Sequence, residues 1–110
     1  MTASSAPELE PSDDFSARLL RSPAGRVDVI VSGTVDILTY DELAAVVDGA
    51  WMQAPTRLVL DLRRVTFFSL SSLRLVATTQ DRARDQHVPL DILTRGDVIQ
   101  RLLTYLEDIR

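Results

Sequence analysis

Apolar residues recur along this chain with two periods, and the changes between them mark the elements. Phe15, Ala17 and Leu19 alternate with polar residues, and so do Val27, Val29 and Val31, whose β-branched side chains suit a pleated surface. Between the runs stand the turn formers Ser22-Pro23-Ala24-Gly25, so the pair predicts an antiparallel hairpin whose second strand ends at Ser32-Gly33. The period then lengthens. Tyr40, Leu43, Ala44, Val47 and Trp51 recur at helical spacing, with Pro55 as the stop. Thr39 and Glu42 have the spacing of a capping box, in which the Thr39 hydroxyl would accept from the Glu42 amide while Glu42 reaches back.

A continuous apolar run, Leu58-Val59-Leu60, bounded by polar residues, predicts a parallel strand over residues 57–61 with both faces covered, followed by a short loop. A serine-rich segment opens a second helix over residues 71–86, which turns Leu73, Val76, Ala77 and Ala83 inward and Arg74, Asp81, Arg82 and Asp85 to water. Pro89 begins a strand over residues 88–93. Thr94 and Asp97 then cap a third helix, striped by Val98, Ile99, Leu102, Leu103 and Leu106. The order ββαβαβα defines an α/β class, a mixed β-sheet with helices. Two right-handed crossovers would bring Asp36 and residues 69–72 to the same carboxyl edge, where open α/β sheets place their working residues.

Composition narrows the chemistry. With 110 residues the chain is one domain. Residues 1–14, with Pro7, Pro11, several serines and acidic side chains, read as a disordered tail, and residues 15–110 as the domain. No apolar run approaches the ~18 residues of a membrane helix, and the first residues are acidic rather than basic then apolar. A cytoplasmic protein without membrane insertion is the expectation. A net charge of −4 disfavours direct nucleic-acid binding. Cysteine is absent and all twelve basic residues are arginine, which excludes disulfides, thiolate metal sites, a Walker lysine and Schiff-base chemistry. No metal or cofactor is expected. Pairing the single histidine, His87, with Ser71 and an aspartate lacks any nucleophile-elbow pattern, so the chain reads as a non-enzyme.

The segment Asp61-Leu62, Val65, Phe67 and a serine pair opening a helix that contains Leu73 is similar to the signature of the STAS domain family. Single-domain members of that family are bacterial anti-sigma-factor antagonists. Gly33-Thr34-Val35-Asp36 resembles the family's Gly-Glu-Leu/Val-Asp segment, and the likeness spans residues 15–109, with the family's element order. The family loop reads Asp-Leu-Ser-x-Val-x-Phe-Ile-Asp-Ser-Ser-Gly-Leu, and its first paired serine is phosphorylated by the partner anti-sigma kinase. Aligned without gaps from Asp61, Ser69 stands at the family aspartate, Leu70 at the phosphoacceptor, Ser71 at the second serine and Ser72 at the glycine. A one-residue insertion would align Ser71 and Ser72 with the pair, but would place Leu73 at the glycine and Arg74 at an apolar position. The ungapped register keeps the core pattern and is preferred.

The resemblance implies a partner, an anti-sigma factor of the serine-kinase type, and a monomer or weak homodimer. It implies a contact through Asp36, Thr39, Ser69, Leu70, Ser71, Ser72 and Arg74, with Ser71 or Ser69 as substitute acceptors if phosphorylation occurs at all. Phosphate at a helix amino terminus would add about −1.5 to −2 charges against unpaired amides and reverse the local surface. The plainer reading makes Ser69 and Ser71 caps, Asp36 and Asp61 loop-fixing residues, Thr39 a cap, Arg63-Arg64 a solvated loop pair, and Tyr40 and Trp51 core. Two other functions stay open: a STAS subunit of a stress-sensing or lipid-transport complex, and a nucleotide or small-molecule binding domain, for which a glycine-rich phosphate loop is missing.

Overall fold

The structure, a computed structural model, describes residues 14–96 together with Arg101 and Thr104. The elements are β1 (Ser16–Arg21), β2 (Arg26–Val35), α1 (Tyr40–Met52), β3 (Arg57–Phe68), α2 (Leu70–Gln86) and β4 (Leu90–Leu93). The strands form one sheet in the order β1-β2-β3-β4, antiparallel between β1 and β2 and parallel thereafter. This is the expected mixed α/β sheet. Residues 1–13 of the expected 1–14 tail lie outside the described residues, and so does the third helix expected after Thr94 except for Arg101 and Thr104, both helical.

The β1–β2 turn explains its glycine. Gly25 adopts φ 91°, accessible to glycine without strain, and a Cβ there would meet the Thr56 side chain at 3.0 Å. Its amide donates to the Ser22 carbonyl at 3.0 Å and its carbonyl accepts from the Thr56 amide at 2.9 Å, tying the hairpin to the start of β3.

Both crossovers, through α1 and through α2, step in the same direction across the sheet, so right-handedness places both helices on one face. Val27, Val29, Val31 and Val35 of β2 and Leu58, Leu60 and Leu62 of β3 pack there against Leu43, Val47, Ala50 and Trp51 of α1 and Leu73, Val76 and Ala83 of α2. The two helices are joined at the surface as well: the Arg82 guanidinium lies 5.1 Å from the Trp51 ring centroid and 3.6 Å from the Asp48 carboxylate. The expectation of Trp51 as a core residue holds; Tyr40 is half-buried.

Two strand ends differ from the sequence reading. β2 continues through Gly33 to Val35, and β3 runs to Phe68 instead of giving way to a loop after Asp61. Alternation hides this continuation because β3 carries irregularities. Between the pairs Arg26–Arg57 and Val35–Phe68, β3 uses two more residues than β2, with register shifts opposite Ile30/Ser32 and Gly33/Thr34. Such bulges break the period of two and re-aim side chains. Gly33, at φ 82°, sits beside the second shift.

Candidate functional site

The carboxyl ends of β2 and β3 are fastened to each other where the chain leaves the sheet. Val35 pairs with Phe68, and the Ser69 amide donates to the Val35 carbonyl at 2.9 Å. The loop beginning at Asp36 and the amino terminus of α2 therefore start from one point of the edge, as the crossover argument requires.

In the β2–α1 loop the Asp36 carboxylate folds back on its own backbone. Its Oδ1 accepts from the Leu38 amide at 2.9 Å and the Thr39 amide at 3.3 Å, the local bonding that aspartate offers in turns. The Thr39 hydroxyl accepts from the Asp36 amide at 3.0 Å and lies 3.3 Å from the Thr34 carbonyl. Thr39 does occupy the N-cap position of α1, but its side chain makes no capping bond, so the expected capping box does not form. The physical reason is competition, since Asp36 three residues earlier engages the same hydroxyl and amide.

At the start of α2 the serines form a chain of hydroxyls. Ser69 is the N-cap, in extended conformation, and its Oγ accepts from the Ser72 amide at 3.2 Å. Ser69 Oγ also lies 2.7 Å from Ser72 Oγ and 3.2 Å from Ser71 Oγ. The helix thus begins at Leu70, one residue before the expected start. Ser72 is fully buried, its hydroxyl 3.5 Å from the Val35 carbonyl, whereas Ser71 faces solvent. Leu73 is buried and Arg74 exposed.

Apolar side chains surround these hydroxyls. Ile37 is 78% exposed, Leu38 87%, Phe67 55% and Leu70 66%, and all four stand within a few residues of the Val35–Phe68 pair. Sequence reasoning identified only Leu70 among them. A usable signal existed for Ile37-Leu38: an apolar pair in a segment with neither strand nor helix period, held between two turn-forming residues.

Asp61 belongs to a different construction. It is buried on the sheet face opposite Leu60 and Leu62, and the Arg63 guanidinium grips it with two bonds of 3.0 Å while the Arg63 amide adds a third at 3.1 Å. Arg64 Nη1 lies 3.7 Å from the same carboxylate. The Arg63 side-chain bonds hold the Asp61 carboxyl below its ordinary pKa; burial opposes this, and the Arg63 amide and the charges of Arg63 and Arg64 reinforce it. Arg63 and Arg64 are solvated, as expected, but they are strand residues and not a loop pair, and Arg63 fixes Asp61.

His87 is exposed in left-handed conformation at the carboxyl cap of α2. With 1.5 Å per helical residue it stands about 24 Å from Ser71, too far for a catalytic pairing. Among the described residues no group of three or more His, Cys, Asp or Glu could hold a metal ion, and no helix is long and apolar enough to cross a membrane.

A four-stranded mixed sheet with two helices on one face and a serine-capped helix at its carboxyl edge is the STAS architecture. The family described as "Mlab, STAS domain" matches residues 19–107, and the chain belongs to it. No curated protein matches the chain. Among solved structures, an anti-sigma factor antagonist from Mycobacterium paratuberculosis superposes with a TM-score of 0.75 at 25% identity, over 88% of this chain and 83% of that one. The anti-sigma factor antagonist SpoIIAA in its unphosphorylated form superposes with a TM-score of 0.69 at 15% identity, over 82% of this chain and 83% of its own. The Bacillus cell fate determinant SpoIIAA in the phosphorylated form gives 0.68 at 15% identity, over 83% of each chain. The SpoIIAA likenesses establish the fold alone.

Proposed function

We propose that this chain is an anti-sigma-factor antagonist, a non-enzymatic cytoplasmic protein that binds an anti-sigma factor of the serine-kinase type and so releases a sigma factor. The observation that carries the reading is the joined edge: the Asp36 loop and the serine-capped start of α2 hang from the single Val35–Phe68 pair and expose four large apolar side chains beside the hydroxyls. Contacts would come from Asp36, Leu70, Ser71 and Arg74, with Thr39, Ser69 and Ser72 shaping the surface from within.

Burial supports the ungapped register. An insertion would put Arg74, which is exposed, at the apolar position and Leu73, which is fully buried, at the glycine. Leu70 then stands at the acceptor position with its side chain in solvent, and a leucine offers no hydroxyl to a kinase. Ser72 is too buried to replace it, which leaves Ser71, and less readily the half-buried Ser69, as substitute acceptors. Phosphate on Ser71 would sit on the amino-terminal dipole of α2 and place a double negative charge within the apolar surround, where its desolvation would oppose partner binding.

The exposure of Leu70 also favours a second reading, a constitutive STAS subunit of a stress-sensing or lipid-transport complex, in which an apolar anchor replaces the switch. The two are separated by affinity purification with identification of the captured protein, repeated with Leu70→Ser. Capture of an anti-sigma kinase, with the Leu70→Ser complex dissociating on ATP addition, is the result expected. Capture of a transporter subunit, insensitive to ATP in both forms, establishes the second reading instead. Fragment mass spectrometry after incubation with the kinase and ATP decides whether Ser71 or Ser69 takes phosphate.

A further inference from the structure

The carboxyl edge of the sheet is divided by charge. Residues 36–42, between β2 and the first turn of α1, carry Asp36, Asp41 and Glu42 and no basic side chain. Residues 63–74, from the end of β3 into α2, carry Arg63, Arg64 and Arg74 and no acidic one. Glu42 and Arg74 are exposed, and neither makes an ion pair among the described residues.

These two charges stand at opposite ends of the edge. Glu42 lies about two helical turns before Gly49, on the same flank of α1, and Gly49 faces Leu19 of β1. Arg74 lies about two turns before Asp81, and Asp81 bonds Arg84, which borders Leu90 and Ile92 of β4. β1 and β4 are the outer strands of the sheet. Between the flanks lie Ile37, Leu38, Phe67 and Leu70, whose exposures leave roughly 500 Å² of apolar surface, near the upper end for the largest patch of a monomer.

A surface that is acidic at one end, apolar in the middle and basic at the other is complementary to itself. Under a two-fold rotation Glu42 of one copy meets Arg74 of the other, and the symmetry repeats that contact at the far rim. We infer that this edge pairs two copies of the chain in an isologous dimer, with the four apolar side chains at its centre and a Glu42–Arg74 pair at each rim. Patch and rims together reach about 600 Å² per copy, the low end for a specific interface, so the dimer is reversible. It covers Leu38 and Leu70, so a second copy and the anti-sigma factor exclude each other, and the concentration of the chain sets how much is free to bind. That consequence rests on the function proposed above; the dimer is measured on the chain alone and stands or falls without it.

The test is analytical ultracentrifugation of the full chain from about 1 to 500 μM, where a monomer–dimer equilibrium is expected. Glu42→Arg moves the net charge of −4 towards zero and Arg74→Glu moves it away, so general repulsion predicts opposite effects of the two. Rim pairing predicts that each weakens the dimer about tenfold or more, because both rims become like-charged. An equimolar mixture of the two variants should regain native affinity, since opposite charges then face each other at both rims. Arg18→Glu, on exposed β1, leaves the equilibrium unchanged. A chain that stays monomeric throughout overturns the inference. So does a dimer that either rim variant leaves intact, one that Arg18→Glu weakens equally, or a mixture that associates no better than its components.

Discussion

Asp61 is a charged group at 5% exposure, and its environment accounts for that state. Two side-chain bonds and one amide bond from Arg63 replace the hydration it loses. Asp61→Asn removes the charge on one side of this arrangement and should cost about 2–3 kcal/mol, the range for a charged hydrogen bond broken in a buried place, as read by urea denaturation. The same bonds define a pH dependence. Because the folded pKa lies below the unfolded value, the folded state binds fewer protons, so the contribution of Asp61 is present above about pH 4 and disappears as pH falls through the folded value. The stability gap between the native chain and Asp61→Asn should therefore narrow on going from pH 6 to pH 3. A gap that stays constant would mean that Asp61 contributes through packing and not through charge.

At the level of elements, the legible parts were those with one uninterrupted period. β2 alternates from Val27 to Val31, β3 opens with five buried residues from Leu58 to Leu62, and α1 keeps its stripe of Leu43, Val47 and Trp51. Topology followed from the strand-helix-strand order and the right-handedness of the crossovers, and with it the meeting of Asp36 and Ser69. What was not legible lay where period fails. The bulges in β3 scramble alternation beyond Asp61, so seven strand residues, 62–68, read as a loop. The cap of α1 failed for a different reason: two local bonding patterns competed for the Thr39 hydroxyl, and sequence spacing does not rank Asp36 above Glu42. The exposed Ile37, Leu38 and Phe67 have no periodic signature, and apolar residues are assigned to a core by default. The cap of α2, by contrast, is satisfied by Ser69, and Ser69→Ala should destabilise by about 1 kcal/mol, because the Ser72 amide and the buried Ser72 hydroxyl both lose a partner. Ser71→Ala, with its exposed hydroxyl, should fall within about 0.5 kcal/mol of the native chain in the same denaturation measurement.

Across the whole molecule, apolar residues divide into two populations that single substitutions can tell apart. Leu73 is fully buried between α2 and the sheet, and Leu73→Ala should cost about 2–5 kcal/mol through lost contacts and the cavity left behind. Leu38 is almost fully exposed on a loop held by Asp36, so Leu38→Asp should change stability by less than about 0.5 kcal/mol. If the edge is the partner surface, the order reverses in a binding measurement. A buried carboxylate at a contact centre costs about 2 kcal/mol or more, so Leu38→Asp should weaken the complex by about thirtyfold or more while the chain stays folded. Leu73→Ala, measured below its own unfolding transition, should bind nearly as well as the native chain. Paired thermal unfolding and surface plasmon resonance on the two variants read both quantities. Native affinity in Leu38→Asp would remove the Asp36 loop from the interface and confine the contact to the start of α2, where Leu70→Asp would then be the substitution that disrupts it.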